Sequence, residues 1–214
     1  KSRLSLRSVS MGRLRSGVID YMLHPRWAVD VGLRGGPHGF GNIAPYVQQS
    51  KNPRDYLNWT GSQFDSSVTW TDIEWLRKVW PGKLVLKGIL DVADARDAVR
   101  VGADGLIVSN HGGRQLDGVA STAAMLPRIA DAVGTETTLL VDGGIRSGQD
   151  LVRALALGAK AALVGRPWVM ALAAGGEAAL TRMLGLIKQD MRTALGLTGI
   201  PNARDVTRAA LLEQ

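Results

Sequence analysis

The stretch Thr138-Leu-Leu-Val-Asp142-Gly-Gly-Ile-Arg146-Ser-Gly-Gln-Asp150 decides how the chain is organised. It passes from an apolar run through two glycines to Ser147, with Asp150 three residues beyond. Ser147 and Asp150 form the reciprocal pairing that starts a helix, here expected through Leu157 and ended by Gly158. The same order recurs around it. Leu84-Val-Leu86, Leu106-Ile-Val108 and Ala162-Leu-Val164 are further short apolar runs, continuous in the way of strands covered on both faces. Behind them Asp91 can cap a helix through Val101, Ser121 begins one reaching Val133, and Pro167 stands at a first-turn position. Gly102 and Gly134 are placed to end the first two. Four strand–helix units demand parallel strands joined by right-handed crossovers. An open doubly wound sheet and half of an eight-stranded barrel both satisfy that demand.

Outside the repeat, residues 17–33 are predicted helical and 34–68, rich in Gly, Pro, Asn and Ser, irregular. Thr71-Asp-Ile-Glu74 is read as a capping box for a helix to Trp80, and Glu177 to Leu197 as a long amphipathic helix. The plan is a basic loop (1–16), a helical and irregular insertion (17–81), strand–helix units (82–175) and carboxyl-terminal helices (176–214).

The 214 residues carry 26 Lys+Arg and 19 Asp+Glu, a net charge of 26 − 19 = +7, and 45% are hydrophobic. Disorder and a disulfide scaffold are excluded by that composition. The absence of Cys removes thiolate metal sites and a cysteine nucleophile, and makes the cytoplasm the default compartment. His24 and His38 lack paired spacing, so no metal is predicted. No apolar run reaches 18 residues: Leu155 to Ala174 is broken by Lys160 and Arg166, so no bilayer span is predicted. The opening segment bears Lys1, Arg3, Arg7, Arg13 and Arg15, with no acid before Asp20, among Leu4, Leu6, Val9, Met11 and Leu14. Such a segment suits an anionic lipid surface or a solvated loop. No nucleic-acid motif is present. The start at Lys1 leads us to expect a piece of something longer.

Both parallel architectures place chemistry at the carboxyl ends of their strands. Here those ends read Lys87-Gly88, then Ser109-Asn-His-Gly-Gly-Arg-Gln-Leu-Asp117, then Asp142-Gly-Gly-Ile-Arg146, then Gly165-Arg166. His111 is a candidate general base with two glycines leaving room beside it; the alternative is a hydrogen-bonded core histidine. Arg114, three residues on, could grip a carboxylate through two hydrogen bonds or form a surface ion pair. Lys87 leaves a buried strand as a charge, which demands an anion, an electron-rich group or a partner carboxylate. The last two ends join close-approach glycines, helix amino-termini and arginines, as barrels do to hold phosphate. Neither a Walker loop nor a Rossmann fingerprint is present.

Residues 109–117 resemble the signature of the FMN-dependent 2-hydroxy acid dehydrogenases and oxidases. Leu86-Lys-Gly88, Asp142-Gly-Gly-Ile-Arg146 and Leu163-Val-Gly-Arg166 support the resemblance in the family's order. Within the family, His24-Pro-Arg-Trp-Ala-Val-Asp-Val-Gly-Leu33 and Pro37-His-Gly-Phe-Gly-Asn42 are most similar to bacterial respiratory L-lactate dehydrogenases, with mandelate dehydrogenases next. The resemblance implies an α/β fold, a (β/α)8 TIM-type barrel, of which this chain supplies the last four strand–helix units. It implies FMN as cofactor, His111 as the base acting on the substrate, and Arg114 as the ligand of its carboxylate. Lys87 would face the flavin N1 and O2 region and Ser109 would contact the flavin. Asp142, Gly144, Arg146, Gly165 and Arg166 would hold ribityl and phosphate. The implied reaction is L-lactate to pyruvate, with (S)-mandelate the alternative substrate and quinone or oxygen the acceptor. The family's substrate tyrosines and the aspartate that pairs with its histidine have no counterpart here. A companion amino-terminal half is therefore expected, the chain is expected to be inactive alone, and the assembled barrel is expected to be a tetramer. Membrane contact through 1–16 would place it on the cytoplasmic face of the inner membrane. Two readings compete: another phosphate-binding barrel, which needs no His111–Arg114 pair, and a non-catalytic half-barrel.

Overall fold

The computed structural model describes residues 18–19, 21–35, 42–47 and 53–211. The basic segment 1–16, His38 and most of the stretch from Pro37 to Asn42 lie outside them. Two compact units divide the chain, residues 1–67 and 68–214. In the first, a short helix Pro25–Trp27 widens into a π-helical stretch, Ala28–Leu33, within the region expected to be helical. The irregular expectation for 34–68 is corrected by helix α1 (Pro53–Ser62). Pro53 stands at its start, a position that tolerates proline, and Asp55 favours its first turn. Asn58 and Gly61 are poor helix formers and hid it in the sequence. The ring of Trp59 stacks on Tyr46 at 5.9 Å.

The second unit opens with α2 (Trp70–Val79). Its cap is Thr69 rather than Thr71: the Asp72 carboxylate accepts from the Thr69 amide and hydroxyl, both at 2.7 Å. The repeat follows as β1 (Val85–Ile89), α3 (Val92–Arg100), β2 (Gly105–Val108), α4 (Thr122–Val133), β3 (Thr138–Asp142), α5 (Gly148–Ala156), β4 (Ala161–Leu163) and α6 (Arg166–Leu197). Asp91, Ser121 and Ser147 cap their helices as expected. Gly102 and Gly158 take positive φ beyond their helices, at 82° and 108°. Gly134 instead keeps a right-handed φ of −65°, so its place does not depend on glycine's freedom.

All four strands are parallel in the order β1-β2-β3-β4. Leu86, Leu106 and Leu139 share one register, as do Lys87, Ile107, Leu140 and Ala161. Because successive side chains alternate, the leucine register faces the helices. There Leu106, Val108, Leu139 and Val141 pack with Ala95, Ala98, Leu126, Ile129 and Ala154 in the core. The other register carries half-buried Ile107 and Leu140 and, at the sheet edges, exposed Val85 and Leu163. The expectation of strands covered on both faces thus holds for one face of this sheet among the described residues.

Asp104 ties α2 to the sheet. Its carboxylate accepts from Arg77 at 3.0 Å, Lys83 at 2.6 Å and the Leu84 amide at 2.9 Å. The Lys83 hydrogen bond, with the Leu84 amide next, pulls its pKa down to about 2. At the other end of the unit, α5 lies so close on α6 that a Cβ at Gly148 would collide with the Met191 nitrogen and the Ile187 carbonyl oxygen. Helix α6 is broken at Gly175 and Gly176, whose φ values are −166° and 62°. The expected helices from Pro167 and from Glu177 are the two sides of that break. Taken as one element it is long and apolar enough to cross a bilayer by length and composition, and the break and its charged residues Arg166, Glu177, Arg182, Lys188, Asp190 and Arg192 interrupt it.

Candidate active site

The carboxyl ends of the strands are shaped by three local devices. At the end of β1, Gly88 adopts φ 99° and the pairing slips between Lys87 and Ile89. Strand alternation already puts Lys87 on the face away from the helices, and the bulge changes the register only beyond it. After β2, His111, Gly112 and Gly113 take φ values of 55°, 67° and 71° in succession. For His111 that conformation costs about 1–2 kcal/mol, so something must hold it. Ser109 Oγ accepts the His111 amide at 3.0 Å, and Asn110 Oδ1 accepts the Gly112 amide at 3.0 Å. After β3, Gly143 and Gly144 turn the chain with φ 94° and 85°. Gly143 is pressed against Asn110 Oδ1 and Thr122 Oγ1, where a Cβ would come within 3.2 and 3.3 Å.

An ion pair lies at the centre. Lys87 Nζ is 2.5 Å from Asp142 Oδ2, and Ser109 Oγ donates to Asp142 Oδ1 at 2.5 Å while accepting from Lys87 at 3.1 Å. The partner carboxylate considered for Lys87 therefore exists, and it is another of the expected site residues. Pairing and hydrogen bonding offset the cost of desolvating Asp142, whose side chain is only 16% exposed.

The remaining cations are differently placed. Arg114, Arg146 and Arg166 make no ion pair among the described residues, nor does the His111 imidazole. Arg166 leans over the histidine loop, its Nη2 within 3.5 Å of where a Cβ of Gly112 would stand. Gly144 and Gly165 face open space, with nothing within 4 Å of an added Cβ. Of the two helix starts expected here, that of α5 is already used. Asp150 accepts the Arg146 and Ser147 amides at 3.1 Å each, and Asp190 accepts the Gln149 amide at 3.0 Å. The first turn of α6, Gly165-Arg166-Pro167, carries no such side-chain cap.

These groups converge on one cleft of about 240 Å³, walled by Lys87, His111, Arg114, Asp142, Gly144, Arg146, Gly165 and Arg166 among others. Every residue expected from the sequence lines it except Ser109, which lies beneath at 2% exposure. A larger hollow of about 880 Å³ opens near Lys160 and Arg208, at the opposite edge of the sheet, away from this chemistry. Two contributors were not foreseen. Asn110 shapes the histidine turn, and Thr122 Oγ1 donates to the Gly143 carbonyl at 3.3 Å. An Asn two residues before a glycine is a turn signal that could have found the first. Thr122 has no local signal.

A cleft of unpaired arginines, open glycines and a histidine stands at the carboxyl edge of parallel strands, where cofactor-binding (β/α)8 barrel enzymes place their sites. Residues 3–213 match the family model of the FMN-dependent dehydrogenases, and the chain belongs to that family. FMN, the cofactor expected from the sequence, is the cofactor of the family. The chain is 54% identical over 195 residues to an L-lactate dehydrogenase of Azorhizobium caulinodans, covering 91% of this chain and 51% of that protein. It is 55% identical over 194 residues to one of Xanthomonas axonopodis pv. citri, covering 91% and 50%. Among solved structures it resembles the monotopic membrane protein (S)-mandelate dehydrogenase, with a TM-score of 0.84 and 38% identity over 92% of this chain and 52% of that one. It also resembles mandelate oxidase with benzoyl-formic acid, at TM-score 0.62 and 49% identity over 67% and 42%. The chain thus spans about half the length of the curated relatives it matches.

Proposed function

We propose that these residues form the carboxyl-terminal half of an FMN-dependent enzyme that oxidises an L-2-hydroxy acid, with L-lactate converted to pyruvate. The observation that carries the reading is the convergence of His111, three unpaired arginines and the Lys87–Asp142 pair on one cleft. Such a site suits two anionic groups, a substrate carboxylate at Arg114 and a phosphate at Arg146, Arg166 and the start of α6. The open faces of Gly144 and Gly165 suit the close approach of a ribityl chain. Lys87, Asp142 and Ser109 would lie under the flavin ring system. When bound, FMN supplies the sink for the two electrons lost at C2.

Arg114 would fix the carboxylate through paired hydrogen bonds and so orient C2 and its hydroxyl toward His111. The His111 imidazole would take one proton from the substrate. That proton is the hydroxyl's if hydrogen leaves C2 with its electron pair, and the C2 proton if it does not; substrate and solvent isotope effects separate the two. Lys87 would stabilise negative charge developing on the ring system. The electrons would pass on to quinone or oxygen.

The exposed register of the sheet and the unpaired edges of β1 and β4 support a companion amino-terminal half that completes the barrel. The chain alone would then be inactive, and the completed barrel would assemble as a tetramer. Contact of 1–16 with the cytoplasmic face of a membrane is part of the proposal, and its support is the basic, apolar-dotted sequence together with the monotopic neighbour. (S)-mandelate is the second substrate reading, favoured by the structural likeness to its dehydrogenase.

An anaerobic visible spectrum of the protein with its companion half, taken before and after L-lactate and then (S)-mandelate, tests the proposal. A yellow flavin bleached faster by lactate is the expected result. A flavin bleached by neither acid overturns it in favour of a non-catalytic module.

A further inference from the structure

We infer that Ser109 is a positioning residue, holding His111 in its working conformation and coupling it to the Lys87–Asp142 pair. The inference rests on the reading of His111 as the proton acceptor. Ser109 is buried beneath the cleft, and its hydroxyl uses every hydrogen-bonding capacity it has. The proton goes to Asp142 Oδ1, and the oxygen accepts from Lys87 Nζ and from the His111 amide. One oxygen atom therefore joins the ends of β1, β2 and β3 to the catalytic loop.

The need for such a joint is visible in the backbone. Among the described residues His111 is the one non-glycine residue with positive φ. Two glycines follow it with the same sign of φ, and their amides are held by Asn110, through its side chain for Gly112 and its carbonyl for Gly113. The exposed side chain makes no ion pair that could fix it. Its own amide, held by Ser109, is thus the anchor on the strand side, while Asn110 holds the next amide. Because Ser109 also bonds both members of the ion pair, any shift of Lys87 or Asp142 is felt at the His111 backbone.

Ser109→Ala, which deletes the joint, and Ser109→Thr, which keeps the hydroxyl, test the inference in two measurements. In the full chain, amide hydrogen exchange at His111 should quicken at least about tenfold in Ser109→Ala, the loss of one protecting hydrogen bond. The Val108 amide should be unchanged and Ser109→Thr should stay near the parent. Unchanged His111 exchange in a folded Ser109→Ala overturns the inference. Should the alanine variant fail to fold, Ser109→Cys fills the site with a weak acceptor and serves the same comparison.

In the completed barrel with FMN, Ser109→Ala should lower kcat about tenfold to a hundredfold through misplacement of the base. With FMN saturating, KM for L-lactate should change less than about twofold, and the threonine should restore kcat. A loss confined to FMN affinity would overturn the positioning role. If the parent assembly itself does not oxidise lactate, the proposed function fails, and the exchange measurement still decides whether Ser109 holds His111.

Discussion

On the helix-covered face of the sheet, Leu106 and Val108 are fully buried, whereas on the opposite face Val85 is 43% and Leu163 37% exposed. The same four strands supply both faces, and both include Val, Leu and Ile. Aliphatic content therefore does not distinguish them. What does is that the covered face holds no charge, while the open face carries Lys87 and, at its carboxyl end, Ser109 and Asp142. One face stabilises the fold through shape, and the other presents polar groups whose hydrogen bonds are satisfied before any ligand arrives. A face that is apolar below and polar at its upper rim is the interior of a barrel seen from inside.

Substitutions that treat the faces unequally sharpen the contrast. Ile129→Ala, beneath the covered face, should cost about 2–5 kcal/mol in urea unfolding. Gly148→Ala should follow at about 1–3 kcal/mol, because two backbone atoms of α6 stand where the methyl would go. Arg114→Lys in the completed enzyme should raise KM for lactate about tenfold, the loss of one charged hydrogen bond, with little effect on stability. Equal KM values would remove Arg114 from the substrate site. Leu163→Ala should shift the stability of this chain by less than about 1 kcal/mol. A cost matching that of Ile129→Ala would show that the open face is covered after all.

The smallest effect is a pH dependence at Asp104. Its folded pKa is depressed to about 2, so its contribution is complete above the ordinary carboxylate range near 3.8 and is lost as the pH falls toward 2. Thermal unfolding followed from pH 5 to pH 2 should therefore fall less steeply in Asp104→Asn than in the parent.

Strand and helix order in the repeat was legible because each signal is local. Asp91, Ser121 and Ser147 sit next to the amides they cap, and Gly102 and Gly158 sit where the chain must reverse. Thr69 was displaced by two residues because Thr71 with Glu74 offers the same chemistry one half-turn later. Helix α1 was lost to its Asn and Gly content. The walls of the cleft were legible for the same reason as the repeat, since each lies at a strand end. The joint beneath them was not, because Ser109 meets Lys87 and Asp142 across 22 and 33 residues of chain. The part of Asp150 at the start of α5 was legible in the Ser147–Asp150 pairing, but that Asp190 takes the Gln149 amide was not, because it is set by packing against α6.

The two outer strands also bear on how the protein behaves in concentrated solution. A free strand edge is a template on which further chains can stack into fibrils. Here β4 is three residues long, bracketed by Lys160 and Arg166, and β1 is interrupted by Lys87 and a bulge at Gly88. Neither edge offers an unbroken run of backbone groups to a stray copy, so runaway stacking is opposed at both sides. Only a strand matched to the bulge and to the charges would pair there at length.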